Sequence, residues 1–591
     1  MFIYLPTLLF LSIGWYLNDV SNLMPIAVMA VLALGNAIFR IRELQFNVRT
    51  QLILFLLFIT YAISAFSNNV PIVSALDGNY QRRFGLFYFL SIYLLFVITS
   101  SMIKEIDKFY TLGLRSLIAL IVFYGSLQTL NLDPLPWIND LKAVQLTLGN
   151  PNFAGALIGM TSALPMSRII QKNQIKSKIF WTTILIVLIA LANETKSLQA
   201  FLVLFTSSLT VVYLFISNNK RTTTKFRKFK SFGIVSFFAS SSIFWILSSQ
   251  NFMSIKNRFF FEGSVYQRID YWRTGIEMFK DNWILGVGPD QFQKHSSLYR
   301  TSEQVLRDGD FVIPDRAHNV IIDHFANGGL FAGSLWILFC VYIFKIIIEN
   351  RRNNFEDKKL TSFCTLSGLW AGYFVQSLLS PDNILLSALG IMSAGFLVAI
   401  GKTHAVENRD LKRANREKFK IDVFYARIIL ISLLLFSFVF WFKVIANDSE
   451  VKRILSSETL DSQRISRVIN SWAQPRNVEK LIFASSQADS NCDFVPKFAD
   501  QLLELDERNS QAWYFKAICA NQKSDFRSAL EYVDKALNFD PLNQTFLIGK
   551  TKLAISANEK ATGLEVLEVL KMNFPQNSEI PILESSLNAI I

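Results

Sequence analysis

The chain has 591 residues, of which 51% are hydrophobic and only 18% charged, against about 25% charged in average soluble chains. With 53 phenylalanines and a formal net charge of +13, it does not read as an ordinary soluble enzyme, and the charge has to be located before it is taken for a nucleic-acid surface. The four cysteines form no CxxC pattern and no His/Cys cluster, which speaks against a zinc or redox centre.

A membrane span needs about 20 mostly apolar residues. In chain order such runs fall near 2–17, 23–39, 51–66, 84–101, 111–130, 153–168, 179–194, 198–217, 231–248, 330–348, 360–379, 384–400 and 423–442, about thirteen in all. The first lacks a basic leading stretch and a small-residue cleavage site, so an anchor is expected in place of a removable signal. The connections form two alternating sets. Six of them, from "RIRELQFNVR" at 40–49 to "KTHAVENRDLKRANREKFK" at 402–420, hold 26 Lys and Arg, and the five short ones of the other set hold four. Positive loops stay in the cytoplasm. The basic balance is therefore a topology signal, and no nucleic-acid partner is expected. The N-terminus falls inside, a loop at about 249–317 lies outside, and so does everything after the last span. This divides the chain into a membrane domain, 1–446, and an extracytoplasmic domain, 447–591. Cys340 and Cys364 sit in apolar runs as buried thiols, whereas Cys492 and Cys519 are free to pair if their domain is outside.

Residues 510–543 read "SQAWYFKAICANQKSDFRSALEYVDKALNFDPLN". Trp513, Ala517, Ala529, Ala536 and Pro541 occupy positions 4, 8, 20, 27 and 32 of a 34-residue unit. This resembles the tetratricopeptide repeat, in which small residues let two helices cross closely and a proline ends the second. Pro575 follows Pro541 by 34 residues, and "LLELDERN" aligns one period upstream of "ALNFDPLN". A short helical-repeat domain, or a plain helical hairpin domain, is expected here. Such arrays offer a concave binding surface, here for a protein or a glycan, and carry no chemistry of their own.

Chemistry is expected where polar residues collect on the outer side. The first such piece, "SALDGNYQRRFG" at 74–85, puts Arg82 and Arg83 on the face that otherwise excludes positive charge. The second, "TLGNPNFAG" at 147–155, opens a span with Asn152 between two glycines. The third runs through Arg268 and Trp272 to "GVGPDQF" and then "AHNVIIDHFANGG". "GVGPDQF" lacks the strand and the third glycine of a nucleotide-binding turn. His318 and His324 are six apart, where two ligands on one helix face would be four apart, so no metal is expected from them. Asp315 and Arg316 read as surface residues, and His324 as a neighbour only.

Taken in order, Arg268–Trp272, "GVGPDQF", "HN" and "GGLFAG" resemble the O-antigen ligase and O-antigen polymerase family of bacterial membrane glycosyltransferases. In that family a histidine stands eleven residues before a glycine at the mouth of a span, a spacing met here by His318 and Gly329. "GNPNFAG" and the R-x-G of Arg83–Gly85 resemble two further family features, and Lys196 stands where family members usually carry an arginine. The resemblance covers roughly residues 70–400. It implies an all-α, polytopic, GT-C-like helix bundle in the bacterial inner membrane, with the C-terminal repeat domain in the periplasm.

It further implies transfer of a glycan from a polyprenyl diphosphate carrier to an acceptor hydroxyl, the acceptor being lipid A core, another glycan or a protein. No metal and no cofactor are implied. Cations must meet the charge growing on the leaving diphosphate, with Arg268 first and Arg83 and Lys196 behind it. A lysine cannot grip a diphosphate bidentately, which sets Lys196 apart. Neutral His318 takes the acceptor proton, Asn319 orients it or a sugar, and Asn152 belongs to the substrate site. Against this stands Arg268 as a surface arginine paired with Asp270 or Glu277. The competing reading of the whole chain is a transporter, either a lipid-linked sugar flippase or a small-anion, bicarbonate-like carrier. That would place polar residues at midplane depth and show inverted repeats, neither of which the sequence displays.

Overall fold

The computed structural model describes residues 7, 23–44, 48–135, 142–171, 174–218, 264–310, 312–353, 355–407, 423–457, 461–488 and 492–590. Among these residues the regular structure is helical, with no strand. The expected spans near 2–17 and 231–248, and the basic stretches around 220–230 and 408–420, lie outside the described residues.

Nine helices among the described residues are long and apolar enough to cross a membrane: Leu23–Arg40, Thr50–Ser67, Ile103–Thr129, Pro151–Ile170, Ile175–Glu194, Leu198–Asn218, Val320–Asn350, Ile384–Gly401 and Val423–Leu455. Leu86–Ser101 is a shorter apolar helix. Asp357–Leu379 is buried along most of its length between Leu198–Asn218 and the helix that begins at Ile384. Lipid tails give helices no hydrophobic reason to associate, so close packing has to hold them. Two helices press on Leu198–Asn218 through glycines four residues apart. A Cβ at Gly155 or Gly159 would collide with Ala200 or Val203, and one at Gly368 or Gly372 with Ser207.

Val320–Asn350 is two helices joined at Gly329, whose φ of 68° and ψ of −164° break the helical path. A break within an apolar helix frees backbone groups that must find partners inside the protein. The "GVG" segment supplies them. Val287 and Gly288 N–H donate to the carbonyls of Ala326 and Asn327 at 3.1 and 2.9 Å, and Leu330 N–H donates to Trp283 O at 2.8 Å. Ser64 Oγ donates to Leu285 O at 2.6 Å, tying the segment to a third helix. The paired glycines thus let the "GVG" backbone come close, and a side chain at Gly329 would strike the backbone of Ile284 and Leu285.

Val423–Leu455 has 33 residues, about 50 Å at 1.5 Å per residue, well beyond a hydrocarbon core of about 30 Å. Its last turns therefore leave the bundle, and Val451 and Ile454 join Ile465, Val468 and Leu481 in a separate core. From there the chain is a row of helices. The helices Ser510–Gln522 and Gln544–Ser556 begin 34 residues apart, as do Phe526–Phe539 and Lys560–Asn573. Asn509 and Asn543 cap the first helix of each pair. Ala517, Ala529 and Ala536 are completely buried where these helices cross. Cys492 and Cys519 form a disulfide in this domain, and Cys340 and Cys364 are buried free thiols.

Candidate functional site

The three outer segments singled out by their polarity converge. Asp290, at the end of "GVGPD", is buried and accepts the N–H groups of Asn79 and Phe84 at 2.7 and 2.8 Å. Arg316 closes on its other oxygen. The 79–84 loop is held in this way, and it carries Arg82 toward the start of the Val320–Asn350 helix. There Arg82 Nε meets Asp315 Oδ2 at 2.5 Å, and its guanidinium lies 5.5 Å from the centre of the Phe153 ring, in "NPNFAG".

His318 stands between these parts. Its φ of 55° is left-handed, a conformation that costs a non-glycine residue free energy and needs surrounding structure to hold it. Both sides are held. Asn319 Oδ1 accepts the N–H groups of Ile321 and Ile322 at 3.0 and 3.2 Å, capping the helix, and Asp323 Oδ1 accepts Ala317 N–H at 2.8 Å. Asn319 also donates to Leu378 O at 3.1 Å. The imidazole packs against Tyr271, with ring centroids 5.2 Å apart, and its Nε2 lies 4.0 Å from Asp315 Oδ1. That is too long for a hydrogen bond, so Asp315 acts on it through its field.

Tyr271 and Arg268 share one face of the Ser264–Asp281 helix, three residues apart. Asp270 binds Arg307 and Glu277 binds Lys280, so neither carboxylate engages Arg268, which forms no ion pair among the described residues. Burial holds its pKa below the usual arginine value. Burial also pushes His318 down to about 4; Asp315 opposes this, and the cations Arg82 and Arg268 add to it. For Asp315 burial alone would raise the carboxyl, but Arg82 overcomes it and holds the group below the usual carboxylate range. The site thus presents a neutral imidazole beside one anion and two guanidiniums, only one of which has a carboxylate partner.

Asn152 and Lys196 lie one step farther out. Ser197 Oγ donates to Asn152 Oδ1 at 2.6 Å, fastening the turn that carries exposed Lys196 to the start of the Pro151–Thr161 helix. Ser380 Oγ donates to Gln199 Oε1 at 2.5 Å, which joins the same turn to the connection reached by Asn319.

Arg83 is placed elsewhere. It is completely buried, bonded to Asp77 and, at 3.1 Å, to Asp448 Oδ2. Gln474 also donates to Asp77, and Asn477 to Asp448. Arg83 is therefore enclosed between the membrane domain and the C-terminal domain, and Arg82 is the arginine that faces His318. Asp315 and Arg316, expected on the surface, are held in ion pairs, Asp315 half-buried and Arg316 buried, because the "GVGPD" segment and the 79–84 loop close over them. Asn319 spends its side chain on the helix start and on Leu378, which makes it a positioning residue. His324 points away from His318 and into the bundle, its Nδ1 at 2.7 Å from the Tyr61 hydroxyl. The sequence singled out Arg82 as anomalous but gave the role to Arg83. The usable signal was the pair itself, two charges on the positive-poor side.

The fold and this cluster define a polytopic membrane protein with a polar site where its connecting loops return to the bundle. Residues 181–337, a stretch that includes Arg268, Tyr271, Asp315 and His318, match the family model described as O-Antigen ligase. That match supports the resemblance to the O-antigen ligase family, indicates a membrane glycan-transfer function and implies a glycosyltransferase-like enzyme; the transporter reading is not favoured. No curated protein sequence matches the chain.

Proposed function

We propose that the protein transfers a glycan from a polyprenyl diphosphate carrier to an acceptor hydroxyl at the outer face of the inner membrane, with both termini placed as the charge pattern predicts. The observation that carries this reading is Arg268. It is a guanidinium three residues from the Tyr271 that packs on His318, and it has no protein carboxylate to neutralise it among the described residues. An unpaired, part-buried cation beside a neutral imidazole suits a site waiting for an anion.

The acceptor oxygen attacks the anomeric carbon, and the bond from that carbon to the diphosphate oxygen breaks. The acceptor proton passes to His318, and the carrier leaves as its diphosphate. Arg268 and Arg82 meet the charge that grows on the leaving group, where preorganised cations lower the barrier most. Lys196 extends the cationic side, and Asn152 holds its turn. Burial is the main cause of the low His318 value, and an arriving diphosphate offsets the two cations that add to it, so donor binding moves the imidazole toward greater basicity. The C-terminal array is read as a periplasmic tetratricopeptide-like domain, and the Cys492–Cys519 disulfide supports that side of the membrane.

The test is His318→Ala in the native host. The variant is expected to insert normally, to lose transfer and to let lipid-linked glycan accumulate. Full transfer by this variant would refute the assignment. The glycan profile of a deletion strain then separates a ligase (long chains lost) from a polymerase (single units only) and from a protein-directed enzyme (glycan missing from proteins alone).

A further inference from the structure

Between the membrane domain's outer loops and the C-terminal domain lies a cleft of about 640 Å³. One wall is formed by residues 79–81, 290–297 and 312–315, the other by residues 474–479 and 506–511. Asp315, the carboxylate paired with Arg82 and lying 4.0 Å from His318 Nε2, is among its lining residues. The cleft therefore adjoins the proposed site, with one wall supplied by the C-terminal domain.

The charges on its walls cancel one another. Lys294 pairs with Asp506, Arg476 with Glu479, Arg82 with Asp315, and Asp540 with Arg300. Arg508 is the exception, with no ion pair among the described residues, which is enough for a single acidic group but not for a polyanion. Between the pairs the walls present amides and hydroxyls: Asn79, Gln293 and Ser297 face Asn509, Ser510 and Gln511. Asn79 donates to Gln293 at 2.9 Å, and each amide has more donors and acceptors than that one bond uses. Groups that both donate and accept match sugar hydroxyls, which do the same. A nucleic acid or teichoic-type polymer would need unpaired cations along the wall. An extended peptide would need apolar pockets for alternate side chains, and among the lining residues only Val312, Ile313, Pro475 and the ring of Tyr80 are of that kind.

We infer that this cleft is an acceptor subsite for a neutral or weakly acidic oligosaccharide, holding the sugars behind the hydroxyl that reacts at His318. The inference rests on the glycan-transfer reading for its purpose, but the binding is measurable without transfer.

The photoreactive residue p-benzoylphenylalanine, placed at Gln511 in the full chain in the native host, is the probe. A matching substitution at Met572, exposed and outside the cleft, is the control. Illumination is expected to give an adduct at 511 that is periodate-sensitive and protease-resistant, and none at 572. The same adduct is expected in the His318→Ala background. A protein adduct at 511, or no more carbohydrate there than at 572, overturns the inference. In membranes with acceptor extracted from cells lacking the protein, Gln511→Trp raises the acceptor KM about tenfold, as expected when binding contacts are removed. Gln511→Ala, which adds no bulk, moves it the same way by less. An unchanged KM in both variants counts against the cleft. If His318→Ala retains transfer while 511 still captures carbohydrate, the glycan-transfer reading fails and the cleft stands. If His318→Ala is inactive and 511 captures none, the reverse holds.

Discussion

Arg82 Nε and Asp315 Oδ2 lie 2.5 Å apart, joining the loop before the Leu86–Ser101 helix to a residue three positions ahead of His318. The next residue along, Arg83, turns the opposite way into a buried pair of carboxylates. Two adjacent arginines thus divide the work between the site and the domain joint.

Their variants are expected to separate accordingly. Arg82→Ala removes one preorganised cation at a growing charge, a change that costs on the order of 100-fold in kcat. Because it also leaves half-buried Asp315 without its cation, it should lower thermal stability, by less than Arg83→Ala. Arg83→Ala leaves Asp77 and Asp448 buried without their cation, a loss of about 3–5 kcal/mol for breaking a buried pair. Burial already pushes Asp77 up to about 7, although Arg83 works against it. Thermal unfolding of the purified protein together with transfer assays on both variants checks this. Arg83→Lys should not restore stability, because lysine cannot bridge two carboxylates with one planar fork.

The pH profile follows from the charges around His318. The base works when neutral, so activity is lost as pH falls through its pKa. In the free protein that value is about 4, with burial as the first cause. The acid limb of kcat/KM, which reports the free enzyme, is expected near there, well below the ordinary histidine range. The limb of kcat, which reports the donor complex, is expected higher, because the bound diphosphate offsets Arg82 and Arg268. Coincident limbs would count against donor binding as the source of basicity. Arg82→Ala should raise the kcat/KM limb by removing one of the two cations.

Much of this was legible in the chain. Hydropathy and the Lys/Arg bias mark apolar runs, and eleven of the thirteen coincide with helices of the described residues. Polar residues on the positive-poor side marked the three segments that meet at the site. Asn319 was expected to orient His318 or a sugar and Gly329 to stand at the mouth of a span; their roles as helix cap and helix break appear only in the structure. What could not be read depends on partners far along the chain. The choice between Arg82 and Arg83 rests on Asp315, 233 residues away, and on Asp448, 365 residues away. Asp315 and Arg316 looked like surface residues because nothing local indicates that the "GVGPD" segment and the 79–84 loop close over them. The exposure of Arg268 to an anion depends on Arg307 drawing off Asp270.

Gly329→Ala tests the broken helix. At φ 68° an alanine is strained, and its Cβ would meet the backbone of Ile284 and Leu285, which cannot swing away as a side chain can. The segment 283–288 would have to lift, freeing the carbonyls of Ala326 and Asn327 and loosening the helix that presents His318. The expected result is a loss of at least about 2 kcal/mol, since overpacking a filled site commonly costs 1–3 kcal/mol, with kcat falling alongside. Gly328→Ala escapes the left-handed strain but would still press on the Tyr61 ring and on Ala332 Cβ, which cannot rotate aside. It should be the milder change on both readouts.

The disulfide offers a test of sidedness independent of catalysis. Cys492 and Cys519 are 27 residues apart, and closing a loop of that size stabilises by about 3.5 kcal/mol in the chain-entropy account. Such a bond persists in an oxidising compartment and not in the cytosol. Intact cells with a permeabilised outer membrane should therefore show no labelling by a membrane-impermeant maleimide before reduction. Two labelled thiols are expected after reduction in a denaturant mild enough to open only the C-terminal domain, where both cysteines are buried. Cys340 and Cys364, buried in the bundle, should stay unreactive in both conditions. Labelling of intact cells without prior reduction would mean that the two thiols are outside but unpaired. Labelling only after the inner membrane is opened would place the C-terminal domain inside. The cleft against the His318 loop would then have to be reassigned as well, because its two walls must share one side of the membrane.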